Sequence, residues 1–491
     1  MTRRSPRAGA AAAAAASGLA ALRAEVGVPE GHDPAVLAEA EEAASRPIED
    51  GLERADRRDL PLVTLDPAGS KDLDQAFHLA VDGSGFVVHY AIADVASFVT
   101  PGGALDAETH RRGVTYYGPD GRFGLHPPVL SEGAASLLPE VDRRAVLWRI
   151  RLDGDGVIRD VDVERAIVRS RAQLDYVGVQ AALDAGTADE MLTLLPRVGA
   201  LRAELQVQRG GASLDVPDQE VETHDERYRL VYRAALPVEE DNAQLSLLTG
   251  IVAARLQREA GIGLWRTLQA AREEDVARLR RVALGLGLDW PAGTSYGAFA
   301  RTIDSRIPEH AAFATEATTL FRGAGYVAFG TPEHPDVPVG AAHSAIAAEY
   351  AHVTAPLRRL VDRYGTEVAL AQVAGRPVPE WVVAALEALP VEMASATQRA
   401  GAYERGGLDL LEALIMAPRV GRTYDAVVVE STRSKEDDGE ARATVLLTSP
   451  AVRARVVGPR DRLRAGSRVR VTVTATDVER RSVTLELADA G

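Results

Sequence analysis

The sequence predicts an α+β fold, because strand-like and helix-like stretches occupy separate parts of its 491 residues. Apolar and polar residues alternate over much of 60–171, as they do in β-strands. The middle of the chain instead carries apolar residues three and four positions apart, which is typical of amphipathic helices. From Gly421 the alternation returns. We therefore predict a β-rich first third, a helical middle and a β-rich C-terminal segment.

Residues 1–58 precede the first strand-like stretch, and we predict an alanine-rich leader and helical arm there, partly disordered. Three arginines within the first seven residues and an alanine run at 10–16 loosely imitate a secretion signal. Because the run is poor in leucine, valine and phenylalanine, we favour a disordered leader. The stretch 33–47 predicts a short helix with Asp33 as its N-cap and Pro34 at its first position.

Predicted strands and then predicted helices follow in order. The strand-like stretches are LPLVTLD, GFVVHYAIADVASFV and 145–171, where a Gly/Asp turn at 153–156 predicts a hairpin. Helices are predicted at 239–261, 272–287 and 379–389. Ser395 and Gln398 then form a predicted capping box, which would open a long helix ending near Met416.

The C-terminal segment alternates as a series of short strands. Four or five strands within about 70 residues are most economically arranged as a small closed barrel, so we predict an OB-type β-barrel at 418–491. From Gly421 onward this segment holds 13 Arg and Lys against 11 Asp and Glu, whereas the whole chain carries a formal charge of −15. A polyanion would therefore be repelled least by the barrel.

Composition excludes several kinds of site. The chain has no cysteine, which excludes disulfides, thiolate zinc sites and cysteine nucleophiles, and this is the usage expected of a cytoplasmic protein. No stretch of the sequence approaches the 18 to 20 apolar residues of a membrane-spanning helix, so we predict no membrane association. The charge of −15 disfavours a broad basic face for nucleic acid. A polyanion would have to be bound locally.

Three aspartates crowd the stretch TLDPAGSKDLDQAF. Asp66 ends a predicted strand, a Pro and Gly turn follows, and Asp72 and Asp74 are two residues apart, so that they share one face of an extended segment. Carboxylates that close call for a cation, and a set of oxygen ligands favours Mg²⁺, with Mn²⁺ as an alternative. A solvated acidic turn is the other interpretation. The residues alone leave both open.

The order of the motifs resembles one known family. DPAGSKDLDQAF is similar to the signature of the RNB catalytic domain of the ribonuclease II family. The family's later motifs are matched in order by YAIADVASFVTPGGALDAETHRRGVTYYGPD, SLLPEVDRRAV, LPVEEDNAQLSLLTGIVAAR and HSAIAAEYAHVTAPLRRLVD. The resemblance implies an RNB catalytic domain at 59–417, built as a mixed β-sheet flanked by helices, and we predict that the barrel after it binds RNA.

Carried over by position, the resemblance implies a catalytic site. Asp66, Asp72 and Asp74 match the family's Mg²⁺-binding catalytic acids, and Arg358 matches the arginine that engages phosphate. Gln75 stands where the family has a fourth aspartate. Its carbonyl can still coordinate a hard cation, so we predict it as a metal ligand, although it brings no charge and cannot act as a base.

Three further residues are predicted to contact RNA. Tyr117 matches a family tyrosine that stacks on a base, an interaction that tolerates any sequence. Arg359 follows Arg358 in the same motif, although an arginine pair taken alone is usually a solvated or salt-bridged surface feature. Glu404 matches a family glutamate near the site, and an exposed helical acid is its alternative interpretation. Trp265 is expected to pack in the core rather than to stack on RNA.

The resemblance implies a magnesium-dependent 3′-to-5′ exoribonuclease that hydrolyses single-stranded RNA to nucleoside 5′-monophosphates, with no obligate protein partner. The alternative is a catalytically impaired RNB-like protein that binds RNA or regulates another nuclease. Other family members usually carry two cold-shock-type barrels before the catalytic domain, and about 55 residues precede it here. From the sequence we therefore expect a weaker grip on RNA and lower processivity.

Overall fold

The computed structural model describes residues 6–48, 51–212, 218–224, 227–304, 306–321, 323–433 and 440–488. The first five residues of the predicted leader, with two of its arginines, lie outside the described residues. The helices that the structure describes are α1 Pro6–Val26, α2 Pro34–Ser45, α3 Ala104–Arg112, α4 Tyr176–Asp184, α5 Glu190–Gln208, α6 Pro237–Ala260, α7 Glu273–Leu286, α8 Tyr296–Ala300, α9 Pro308–Ala317, α10 Leu360–Val373, α11 Glu380–Ala385 and α12 Leu389–Met416.

The strands divide into a large N-terminal group and a C-terminal group. The strands are β1 Ala55–Asp56, β2 Val63–Asp66, β3 Gln75–Asp82, β4 Gly85–Ala93, β5 Tyr116–Gly118, β6 Gly121–Phe123, β7 Asp142–Leu152, β8 Ile158–Arg169, β9 Ala172–Asp175, β10 Asp218–His224, β11 Arg227–Arg233, β12 Gly263–Thr267, β13 Gly325–Phe329, β14 Thr423–Arg433, β15 Glu440–Thr448, β16 Ala451–Pro459, β17 Arg468–Asp477 and β18 Ser482–Leu487. This arrangement confirms the predicted α+β fold class.

Seven strands form the central sheet, in the order β1-β8-β7-β4-β3-β2-β9. Neighbours from β8 to β2 run antiparallel, and the two outermost pairs are parallel, which makes the sheet mixed. The predicted hairpin at 153–156 joins β7 to β8. The sheet places the end of β2 beside the start of β3, the two strands that carry the acidic stretch.

Both faces of this sheet are covered, as the strongly apolar strands require. Tyr90 and Trp148 point into a core shared with α5 and α6, whereas Ala91 and Leu147 point to the other face, against α2. Alternate residues of β4 and β7 thus enter two different cores. The sheet is held between helical layers and gives the acidic stretch a rigid base.

The C-terminal strands close into a five-stranded barrel, in the order β14-β15-β16-β18-β17, which confirms the predicted barrel. Its interior is filled by alternate aliphatic residues of all five strands. On the outside, Val427, Val429 and Leu446 pack against a cluster that includes residues of α7 and α9. The barrel therefore has an apolar contact with the helical middle of the chain.

Two helices differ from their predictions. The structure has α1 where a disordered leader was predicted, with Leu19 and Leu22 buried and Leu22 lying against Gly406 of α12. The second helix, α12, begins at Leu389, so Ser395 lies inside it and forms no capping box. Alanine has the highest helix propensity, and α12 supplies the apolar partner that the local sequence does not reveal. No helix within the described ranges is long and apolar enough to cross a membrane.

Candidate active site

Asp66 and Asp74, the first and last predicted acids, lie at neighbouring ends of β2 and β3. Val63 of β2 lies opposite Phe77 of β3. Counting outward along these antiparallel strands, Asp66 at the end of β2 is level with Asp74, the residue before β3. The turn that the sequence predicts at Pro67 connects the two. This register sets both residues at the same end of the two strands, where each interacts with Arg358.

Asp74 joins the acidic stretch to the arginine motif. Its carboxylate is 5% exposed, Oδ1 accepts a hydrogen bond from the Leu357 N–H at 2.8 Å, and Oδ2 lies 3.5 Å from Nε of Arg358. Burial raises the pKa of Asp74 to about 7, although Arg358 and the Leu357 N–H act in the opposite direction. Two segments 283 positions apart in sequence thus meet at one carboxylate.

Asp66 shares this environment. Burial raises its pKa to about 6, Arg358 lowers it, and Asp72 adds a further increase through like-charge repulsion. Both Asp66 and Asp74 are therefore costly to ionise in the protein alone, and an additional cation beside them would favour their charged forms. This electrostatic arrangement and the oxygen-only donors suit a hard divalent cation.

Asp72 is held by an arginine that the sequence interpretation missed. Its Oδ1 contacts Nη1 of Arg122, and Nη2 of the same arginine lies 2.7 Å from Oε1 of Glu132. Within the described residues no group of three or more His, Asp or Glu side chains is arranged to hold a metal ion. Asp72 would have to exchange Arg122 for a metal to join Asp66 and Asp74 as a ligand.

Gln75 has a different role in the structure from the predicted metal ligand. Its Nε2 donates to the carbonyl oxygen of Thr354 at 2.5 Å, and its Oε1 accepts from the hydroxyl of buried Tyr90 at 2.9 Å. The amide therefore connects β3 and β4 to the segment that leads to Arg358. A carboxylate at this position would have no hydrogen to donate to Thr354.

We expect Gln75→Asp to destabilise the protein rather than to restore a stronger metal site. Aspartate is shorter and places a negative charge near the Thr354 carbonyl oxygen, so the free energy of unfolding should fall by about 2 kcal/mol. Urea denaturation of this variant and of Gln269→Asp, an exposed control in a loop, measures the difference. Tighter metal binding together with faster RNA cleavage in Gln75→Asp would contradict this expectation.

Arg358 and Arg359 have different surroundings. Arg358 is 45% exposed beside Asp74, whereas Nε and Nη2 of Arg359 donate to Asp362 at 2.9 and 2.8 Å. Burial alone would lower the pKa of Arg359, but Asp362 raises it above its usual value. The same Asp362 accepts from the N–H of Ala355 at 2.6 Å. Arg359 thus fixes the loop, whereas Arg358 is accessible beside Asp74.

Tyr117 faces the acids from a separate hairpin. It lies on β5, is 47% exposed, and its pKa is raised by burial, lowered by Arg358 and raised by Asp72 and Asp74. These interactions place its ring at the same site as the acids. An exposed aromatic ring in this position suits base stacking.

Two other predicted residues lie on surrounding elements. Glu404 is exposed on α12, directly after Tyr403, whose hydroxyl donates to Asp120 in the turn between β5 and β6. Trp265 is buried and packs against Phe329 in the sheet core, as expected. Asp66, Asp72, Asp74, Arg358 and Tyr117 therefore form the candidate active site, with Arg122 as an additional member.

The chain is similar to families of RNA-degrading proteins. A model described as "RNB domain" matches residues 54–367, and one described as "RNase II-type exonuclease C-terminal S1 domain" matches 422–488. Ribonuclease R of Escherichia coli (strain K12) is 29% identical over 329 residues, 63% of this chain and 39% of that protein. Ribonuclease R of Acidithiobacillus ferrooxidans is 38% identical over 152 residues, 30% of this chain and 35% of that protein. The chain spans well under half the length of either relative.

Solved structures share the fold at low identity. Mycoplasma genitalium RNase R in complex with ribose methylated single-stranded RNA has a TM-score of 0.81 at 18% identity, covering 96% of this chain and 78% of that one. Yeast Ssd1, described as a pseudonuclease, has a TM-score of 0.65 at 15% identity, covering 90% of this chain and 53% of that one. Nuclease and pseudonuclease thus share this architecture.

Proposed function

The chain belongs to the RNB-domain family, and on that premise we propose that it is a magnesium-dependent 3′-to-5′ exoribonuclease. Its substrate would be single-stranded RNA and its products nucleoside 5′-monophosphates. One observation carries this proposal. Asp74 accepts the Leu357 N–H and lies beside Arg358, and Arg358 also acts on Asp66. This arrangement supplies acids for a cation and an arginine for a phosphate in one place.

Arg358 would bind the phosphate to be cleaved. A guanidinium offers several N–H donors in a planar fork that matches two phosphate oxygens. The Arg359–Asp362 ion pair and the Asp362 contact to Ala355 hold the loop, so that Arg358 needs little reorganisation to meet the developing negative charge. Positioning of the scissile phosphate would therefore come from the loop at the start of α10.

The acids would hold the metal, since Asp66 and Asp74 both interact with Arg358 and Asp72 would exchange its arginine for the cation. A bound Mg²⁺, or Mn²⁺, supplies Lewis-acid stabilisation and lowers the pKa of water. The role of the protein is to keep these carboxylates at the ends of β2 and β3, beside Arg358. Gln75 supports the site through its two hydrogen bonds rather than through the metal.

Tyr117 and the barrel would bind the RNA strand. Stacking on Tyr117 uses the π face of a base, which every base offers, and so suits degradation without sequence preference. The barrel segment is the least acidic part of the chain, and five-stranded barrels of this type bind oligonucleotides. The RNase R of Mycoplasma genitalium was solved with single-stranded and with double-stranded RNA, which supports RNA as the ligand class.

The second candidate function is RNA binding without cleavage, and the likeness to Ssd1 favours it. A protein that only binds RNA gains nothing from two acids that are costly to ionise at one site. Asp66 and Asp74, with pKa values raised to about 6 and about 7, therefore support the nuclease over the binder.

End-labelled RNA tests the proposal. With Mg²⁺ present, we expect 5′-labelled single-stranded RNA to shorten stepwise, and 3′-labelled RNA to release its label as a mononucleotide in the first cycles. The difference arises because removal begins at the 3′ end. RNA that is retarded in a gel but remains intact with either label would support the binder instead.

A further inference from the structure

The hairpin of β5 and β6 presents two functional side chains as a pair. Tyr117 lies directly opposite Arg122 across the two strands, and residues so paired extend on the same face of a hairpin. Tyr117 is 47% exposed and the Arg122 side chain is 32% exposed. The face that carries the predicted stacking ring therefore also carries an accessible guanidinium.

The turn between β5 and β6 is held by contacts with α1 and α12. Asp120 accepts hydrogen bonds from the Tyr403 hydroxyl of α12 and from Arg23 of α1. Phe123 packs edge-on against Tyr403 with ring centroids 6.0 Å apart, and the Arg23 guanidinium lies 5.3 Å from the Phe123 ring centroid. These contacts with two helices restrict the hairpin, so its paired side chains are held in place before any ligand arrives.

The Arg122 guanidinium contacts two carboxylates. It contacts Asp72 through Nη1 and Glu132 through Nη2, the latter at 2.7 Å. A guanidinium has five N–H donors, so these two contacts leave capacity for a further acceptor. Arg358 lies beside Asp74, and therefore the site has an arginine at two of its three acids.

We infer that Arg122 is a phosphate-binding residue of the RNA site, acting together with Tyr117, and that Glu132 competes with RNA for it. This inference rests on the proposed function and adds a residue to it. A nucleotide whose base stacks on Tyr117 brings its own backbone toward the residue directly opposite. Arg122 then binds the phosphate while the ring stacks on the base. The two contacts together hold one nucleotide beside the hairpin.

Glu132 restrains this arginine. Its carboxylate holds Nη2 at 2.7 Å in the protein without RNA, and a phosphate must share or replace that contact. Removing the charge of Glu132 should therefore strengthen RNA binding, whereas removing the charge of Arg122 should weaken it. Charge alone would also shift these two affinities in opposite directions, so the salt dependence of binding and the Arg122→Lys variant identify the phosphate contact.

Equilibrium binding of a fluorescein-labelled 2′-O-methylated 12-nucleotide RNA, measured by anisotropy at several salt concentrations, tests the inference. We expect Arg122→Gln to weaken binding about tenfold and to make the plot of log affinity against log salt shallower by about 0.7, the value for one phosphate contact on a single strand. Arg122→Lys should keep the salt slope. Glu132→Gln should bind about threefold more tightly than the wild type.

Two controls separate this role from a loss of folding or of stacking. Arg159→Gln removes an exposed arginine that pairs with Asp153 on a distant hairpin, and it should leave affinity unchanged. Tyr117→Leu should weaken binding about tenfold with the salt slope unchanged, because stacking releases no counterion. Thermal unfolding of each variant confirms that it folds.

The outcomes distinguish the inference from the function on which it rests. An Arg122→Gln variant with wild-type affinity and salt slope, or a Glu132→Gln variant that binds more weakly, would overturn the role of Arg122 while the wild type still binds and cleaves RNA. A wild-type protein that does not bind the RNA would overturn the proposed function, and the inference with it.

Discussion

Asp74→Asn is expected to slow RNA cleavage by about 10³-fold while RNA affinity stays within about threefold of the wild type. The asparagine Oδ1 can still accept the Leu357 N–H, so the loop should keep its position. The charge that would hold a cation is lost, and charge stabilisation at the reacting group is among the largest contributions to catalysis. Single-turnover cleavage and anisotropy binding measure the two quantities.

The stability of the same variant provides a second readout. Asp74 is buried and its pKa is raised to about 7, so the folding free energy that its ionisation costs builds up as the pH rises from its ordinary pKa to about 7 and is fully present above that. Asparagine removes this cost, and the melting temperature at pH 8 should stay the same or rise. Asp162→Asn, which alters a half-exposed acid paired with Arg149 on the sheet, is the matched control. Wild-type cleavage rates in Asp74→Asn would rule out the proposed site.

Arg358→Gln is expected to reduce the cleavage rate by about 10²-fold. Two effects combine, because the phosphate loses its forked donor and Asp74 loses the charge that lowers its pKa. Arg358→Lys should recover part of the rate, since lysine restores the charge without the planar fork. Single-turnover rates over a range of RNA concentrations separate binding from chemistry.

A surface arginine of similar exposure controls for the loss of charge alone. Arg151 on β7 is 49% exposed and its guanidinium lies 3.4 Å from Asp82. Asp82 is at the opposite end of β3 from the acidic stretch. Arg151→Gln should cleave RNA at the wild-type rate. If Arg358→Gln and Arg151→Gln had the same rate, Arg358 would have no special part in the reaction.

The sequence predicted the strands and the motif residues of this site better than it predicted which side chains contact one another. Alternation predicted the central strands and the barrel, because one face or both of each strand is buried. The family resemblance pointed to Asp66, Asp74 and Arg358, and in the structure both acids interact with Arg358. These predictions depend on local pattern and on motif order, which a single sequence displays.

Contacts between distant segments escaped prediction. Arg122 reaches Asp72 across 50 positions, and Gln75 reaches Thr354 across 279. Such partners are chosen by tertiary packing, which leaves no spacing rule in the sequence. The pairing of Arg359 with Asp362, three residues later, was not predicted either, since Arg359 was expected to contact RNA.

The charge of the whole chain is consistent with the local site. At −15 the protein should repel RNA at long range. Arg122 and Arg358 nevertheless both lie near Tyr117 and provide positive charge at the site. Binding would depend on a few short-range contacts. This explains why single substitutions at these arginines are expected to have large effects.

Analysis of the small product tests the central claim most directly. Unlabelled single-stranded RNA is incubated with the protein and Mg²⁺ in water enriched in oxygen-18, and the released nucleotides are examined by mass spectrometry. If water attacks phosphorus and the 3′ oxygen leaves, the products are nucleoside 5′-monophosphates that each carry one oxygen-18 in the phosphate. Intact RNA, or 2′,3′-cyclic phosphates without the isotope, would contradict the account.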